Sequence, residues 1–127
     1  MDKKTTGRLG EELAARRLRE EGMEILARNY HSRWGEIDII AADDAFLVFA
    51  EVKTRAEDAL GSPAEAVTPQ KQKKLCRTAV AYLMEHPSAL QPRFDVFAIT
   101  VKKGEGFAPV SVSHLINAFE VDSYESI

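Results

Sequence analysis

Two apolar segments rich in β-branched and aromatic residues, Gly35 to Ala42 and Phe46 to Thr54, are separated only by Asp43, Asp44 and Ala45. Strand-forming residues joined by so short a connection make an antiparallel hairpin. Side chains alternate across a strand, so Phe49, Glu51 and Lys53 share one face while Val48, Ala50 and Val52 take the other. A tight turn centred between Asp44 and Ala45 then sets Asp38 directly opposite Glu51. Opposed residues point to the same face with Cβ atoms ~5 Å apart. The turn lacks the glycine that two-residue hairpin loops prefer, and a loop of odd length would break this pairing.

The register has an electrostatic consequence. Two ionised carboxylates ~5 Å apart repel by roughly 3 kcal/mol at an effective dielectric of 20, against a total stability of about 5–15 kcal/mol for a typical domain. Three remedies exist: one acid stays protonated, Lys53 pairs with both, or a divalent cation binds between them. Hard oxygen donors with an incomplete shell suit Mg²⁺ or Mn²⁺. The bland alternative is a surface Glu51–Lys53 salt bridge with Asp38 in solvent. Glu11 is a candidate third acid on a helix that also carries Gly7 and Gly10. Each glycine costs about 1 kcal/mol of helix propensity relative to alanine, a cost that often marks close backbone approach. Otherwise Glu11 belongs to a solvated face shared with Glu12.

Around the hairpin the periodicity predicts a helix from Thr6 to Glu21, capped by Thr6 and followed by Gly22. A short strand from Met23 to Tyr30 comes next. Ser62-Pro63 signals at most one helical turn, and Thr68-Pro69 starts a longer helix to Glu85. That helix places Leu75, Cys76, Ala79, Val80 and Leu83 on an apolar face, and His86-Pro87 ends it. A strand from Arg93 to Val101, a last short strand from Pro109 to Val112 and a short helix from Ser113 to Phe119 complete the chain. The expectation is an α/β domain with an α-β-β-β-α-β core, a central mixed sheet flanked by helices.

A length of 127 residues fits one domain, 1–127, able to bury a core without staples. Hydrophobic residues make up 45% and charged residues 29%, a globular rather than a disordered composition. One cysteine, Cys76, rules out an internal disulfide, and its helix position points to the core. No apolar run approaches the ~20 residues that cross a bilayer, and no leader-like stretch opens the sequence. These readings lead to an expectation of a cytoplasmic protein that does not insert in membranes. All 17 Lys and Arg residues precede residue 104, whereas Glu105, Glu120, Asp122 and Glu125 follow it, for a net charge of −3. That balance argues against indiscriminate coating of DNA but leaves room for a local basic strip. Arg55, Lys71, Gln72 and Lys74 form the candidate strip, because a helix start favours phosphate; an ordinary solvated first turn is the alternative. His31, His86 and His114 lack ligand spacing for zinc. Trp34 and Tyr30 pack at the start of the hairpin or stack on a base, and Asp95 sits in a strand that otherwise reads as buried.

The segments Gly7-x-x-Gly10-Glu11, Gly35-Glu36-Ile37-Asp38, Val48-Phe49-Ala50-Glu51-Val52-Lys53, Lys71-Gln72 with Lys74-Leu75, Arg93-Phe94-Asp95-Val96 and Asn117-Ala118-Phe119 occur here in order. Together they resemble the YraN family of bacterial proteins. That family is similar to archaeal Holliday-junction resolvases and to the restriction-endonuclease-like nucleases. The superfamily signature is an Asp, a spacer and Glu-x-Lys, here Asp38 and Glu51-Val52-Lys53. The resemblance implies that Asp38, Glu51 and the backbone carbonyl of Val52 hold Mg²⁺ or Mn²⁺, that Lys53 orients or helps deprotonate the attacking water and steadies the scissile phosphate, and that Glu11 is the helix-borne acid beside the metal. It further implies a DNA endonuclease acting on branched or structured DNA, and a homodimer. The alternative is a nuclease-fold adaptor that binds nucleic acid or protein without cutting, since fold and function separate readily.

Overall fold

In the computed structural model, which describes residues 1–59, 67–104 and 106–120, helix α1 (Lys3–Glu20) leads into strands β1 (Glu24–Ser32), β2 (Gly35–Ala42) and β3 (Phe46–Ala56). Helix α2 (Pro69–Glu85) and strands β4 (Gln91–Val101) and β5 (Pro109–Phe119) follow. The five strands form one sheet in the order β1-β2-β3-β4-β5. Only β3 and β4 run parallel; every other neighbouring pair is antiparallel. This is the α/β architecture with a central mixed sheet that the sequence predicts, consistent with a restriction-endonuclease-like core.

The β2–β3 hairpin forms in the expected register, with Ile39 opposite Ala50 and Ala42 opposite Leu47. Asp43 supplies what the missing glycine does not. Its Oδ1 accepts the backbone N–H groups of Ala45 at 2.8 Å and Phe46 at 2.7 Å, so a side chain closes the turn.

Each helix covers one face of the sheet. On one side Ala14, Ala15 and Leu18 of α1 pack on Ile39, Ala41, Val48, Ala50 and Phe97. On the other, Leu75, Cys76, Ala79 and Tyr82 of α2 pack on Ile37, Ile40, Leu47, Phe49 and Phe94. Thr78 and Tyr82 are buried in α2, whereas Val80 and Leu83 are only half-buried, so the covered face is rotated slightly from the predicted one. Glycine spacing on α1 has two meanings. A Cβ on Gly10 would collide with Thr54 Oγ1 and lie 3.3 Å from Thr54 Cβ, while one on Gly7 would meet nothing. Close approach therefore explains Gly10 and not Gly7.

Three expectations need correction. Helix α1 begins earlier than Thr6, because Asp2 is the cap and accepts Thr5 N–H at 2.7 Å. Strands β1 and β3 each run two residues past their predicted ends, and β4 starts two residues before its predicted start. The predicted helix from Ser113 to Phe119 does not exist; that segment continues β5 against β4, with Val96 opposite Leu115 and Phe94 opposite Phe119. The unpaired edge of β4 outcompetes a serine cap, and Asn117 takes a left-handed φ of 53°, where Asn is tolerated better than most residues. The helical turn expected at Ser62-Pro63 lies outside the described residues. No helix is long and apolar enough to cross a membrane among the described residues.

Candidate active site

The β2–β3 ladder stops at the Ile39–Ala50 pair. One step beyond it, the Asp38 carboxylate accepts the Val52 N–H at 2.7 Å. A side chain thus takes the next hydrogen bond from β3. A residue in an extended strand turns its N–H and C=O toward the same neighbour, so the Val52 carbonyl faces this gap too.

Asp38 and Glu51 are 7% and 8% exposed, which excludes the reading in which Asp38 points into solvent. Their burial dominates their acidity. Asp38 is pushed up to about 7, first by burial and then by the charge of Glu51, with Glu11 and Glu36 adding to the effect and the Val52 N–H opposing it. Glu51 is also raised by burial, against the pull of Lys71 and Lys53. Lys71 Nζ stands 3.4 Å from Glu51 Oε1. Lys53 is exposed and close enough for its charge to be felt at Glu51.

Glu11 reaches this group from α1. It is half-buried, and burial lowers its acidity against the pull of Arg28 and the Asn29 side chain, with Glu36 and Glu51 adding to the effect. Glu12, by contrast, is exposed and pairs with Arg28 at 3.0 Å. The two neighbours therefore do not share one solvated face.

The predicted phosphate strip divides. Lys71 joins the acid cluster, as its ion pair requires. Gln72 Nε2 donates to the Val67 carbonyl at 3.1 Å. Lys74 is exposed on the first turns of α2. Arg55, two residues beyond Lys53 on β3, lines a cleft with Lys53, Lys102 and Lys103, away from α2. Two residues of this field escape sequence reasoning. Glu36 adds negative charge to Asp38, Glu51 and Glu11, and it lies two residues before Asp38, the spacing that shares a strand face. Asn29 favours the charged form of Glu11 from a left-handed backbone position, φ 52°, which the sequence does not announce. Tyr30 packs edge-on against Tyr82 and hydrogen-bonds Glu85. Trp34 is flanked by the guanidinium groups of Arg33 and Arg77, at 4.4 and 4.6 Å from its ring centre.

Among the described residues no group of three or more His, Cys, Asp or Glu side chains is arranged to hold a metal ion. The donor set on offer is smaller: two carboxylates and the Val52 carbonyl, all hard oxygens. That set fits Mg²⁺ or Mn²⁺ with water and substrate oxygens completing the shell. The buried acids also lack full counter-charge: among the described residues Lys71 is the one ion-pair partner of Glu51, and no ion pair reaches Asp38.

Comparison with known proteins agrees with the motif pattern. The model of the family described as "Uncharacterised protein family UPF0102" matches residues 10–99. A UPF0102 protein of Syntrophomonas wolfei is 46% identical over 114 residues, covering 89% of this chain and 96% of that one. A UPF0102 protein of Prosthecochloris aestuarii is 51% identical over 117 residues, covering 89% and 91%. A third, from Rhodococcus opacus, is 50% identical over 116 residues, covering 89% and 94%.

Proposed function

This chain belongs to the UPF0102 family, the one its motifs resemble under the name YraN, and on that premise we propose that it is a divalent-metal-dependent DNA endonuclease cutting branched or otherwise structured DNA. The observation that carries this reading is the buried Asp38–Glu51 pair beside Lys53. Burying two acids with incomplete neutralisation is costly unless something binds there.

In this reading Asp38, Glu51 and the Val52 carbonyl hold Mg²⁺ or Mn²⁺. Such a cation, when bound, acidifies water and polarises the phosphoryl oxygen. Lys53 stands on the same strand face as Glu51 and neutralises charge that builds on the phosphate, as a flexible point charge does. Glu11, made a weaker acid by burial, would be the helix-borne acid that accepts or returns a proton near the carboxylate pair. The Val52 N–H fixes the Asp38 rotamer, and the hairpin holds both acids on rigid backbone. The Lys71–Glu51 ion pair must open or shift as phosphate arrives, which brings Lys71 to the substrate. Junction cutting would use two such sites in a homodimer.

The same ion pair favours a second reading. A lysine that neutralises a ligand acid suits a fold that binds nucleic acid without cutting. Incubation with four-way junction, flap, single-stranded and duplex DNA, in Mg²⁺, Mn²⁺ or chelator, separates the two. The nuclease reading expects metal-dependent cleavage abolished by Asp38→Asn and by Glu51→Gln. Binding without cleavage in any metal sinks it in favour of the adaptor.

A further inference from the structure

A cleft of about 530 Å³ opens where the C-terminal ends of β3 and β4 meet the start of α1. Its walls carry Lys3, Lys53, Arg55, Lys102 and Lys103, and none of its described lining residues is acidic. Five cations around one concavity on a chain of net charge −3 is a concentrated positive field, and clefts focus such fields. Asp58 pairs with Lys103 at 3.0 Å and Arg55 has an interaction of its own, whereas among the described residues Lys3, Lys53 and Lys102 are in no ion pair.

The cleft is preformed. Glu57 N–H bonds the Val101 carbonyl at 2.9 Å, and Lys102 N–H bonds the Ala108 carbonyl at 2.8 Å. These bonds tie the ends of both strands and hold the bases of the lysines. Lys53 belongs to the cleft wall and also acts electrostatically on Glu51, so this one side chain links the cleft to the carboxylate pair. Along β3, Lys53 and Arg55 are one two-residue repeat apart, ~7 Å. That step is comparable to the separation of successive phosphates along one strand. The volume falls in the range of sites that enclose a small ligand; it accepts a short stretch of one strand and is far too small for a duplex cross-section.

We propose that this cleft is a single-strand subsite, holding the phosphates of the nucleic-acid strand just beyond the scissile one. The inference rests on the nuclease reading for the position of the scissile phosphate and deepens it. Substrates with a splayed single-stranded arm, such as flaps, are bound in preference to fully paired duplex. Lys3 and Lys102 supply the far wall, Lys53 the near one.

The test uses the full chain and a fluorescent twelve-residue oligo-dT, followed by anisotropy in chelator so that no cutting occurs. The Lys3→Ala/Lys102→Ala variant is expected to bind the oligonucleotide about ten-fold more weakly. The slope of log affinity against log salt falls by about 1.4, since each single-strand phosphate contact contributes ~0.7. Lys102→Glu weakens binding further, while affinity for a blunt duplex changes less than about two-fold. Both lysines are exposed, so an unchanged thermal melt shows that the fold is intact. Unaltered oligonucleotide affinity, or equal losses on single strand and duplex, overturns the subsite. Metal-dependent cleavage by the wild type with unaltered binding by the variants condemns the subsite alone. The predicted binding losses without cleavage in any metal uphold the subsite and condemn the nuclease reading alone.

Discussion

Two adjacent strands bury carboxylates in opposite ways. On β4, Asp95 is 1% exposed and every direction around it is answered. Arg93 donates to both its oxygens at 2.9 Å, His114 Nε2 lies 2.7 Å away, and Asn117 N–H donates at 3.0 Å. Burial alone would raise its pKa, but the bonds from His114, Arg93 and Asn117 outweigh it and hold Asp95 below the ordinary range. On β3 and β2, Glu51 and Asp38 are nearly as buried, yet both are raised and Asp38 reaches about 7. The first acid is a structural clasp joining β4 to β5. The second pair is held in charge deficit, which is the condition a cation would relieve. Burial does not by itself mark a site; the balance of partners does.

The largest effect separating the two regions is expected at Asp95. Asp95→Ala strands a buried guanidinium and should cost about 3–5 kcal/mol, read as a fall in the urea midpoint at unchanged slope. A loss under ~1 kcal/mol would mean the clasp is no stronger than a surface ion pair.

Asp38→Asn should act with the opposite sign. Between pH 4 and 7 the folded state keeps a proton on Asp38 that the unfolded chain has released. Stability therefore falls as pH rises through that window. The asparagine can still accept the Val52 N–H, so it should raise stability at pH 8 by about 2 kcal/mol and flatten this part of the pH profile, while abolishing metal-dependent cleavage. Denaturation at pH 5 and pH 8 checks the sign; destabilisation at pH 8 would contradict the charge deficit.

Gly10→Ala is expected to cost about 1–3 kcal/mol through overpacking against Thr54, despite its gain in helix propensity, whereas Gly7→Ala should be neutral or stabilising. Paired thermal melts decide it. Smallest is the contribution of His114, whose ring also stacks on Phe97 at 4.0 Å. Burial opposes its protonation, but Asp95 and then Glu21 raise its pKa above the usual value. Its stabilisation is complete below about pH 6.5 and is lost as pH rises through the higher folded value. His114→Gln should remove that step, worth about 1 kcal/mol, and leave the Asp38 window in place.

The hairpin was legible because turn length and period-2 alternation both bear on it, so the register that ends at Ile39 opposite Ala50, one step short of Asp38 and Glu51, followed from counting alone. Local pattern could not supply what tertiary pairing decides. Ser113 reads as a helix cap, yet Asp95 recruits His114 and Asn117 into a strand. Lys71 reads as the exposed start of a helix, yet the fold carries it to Glu51. Lys3 and Lys102 are far apart in sequence and meet only because α1 starts where β4 ends. Asp43 was legible as a turn residue, but its two backbone hydrogen bonds, which replace glycine, were not.

Isothermal titration of Mn²⁺ at pH 6.5, in buffers of different ionisation enthalpy and with oligo-dT present, decides whether the buried acids bind a cation. Saturable uptake by the wild type with release of close to one proton is expected, as Asp38 gives up its hydrogen, with no such uptake by Asp38→Asn or Glu51→Gln. Absent uptake, or equal uptake by wild type and both variants, would contradict cation binding by this pair.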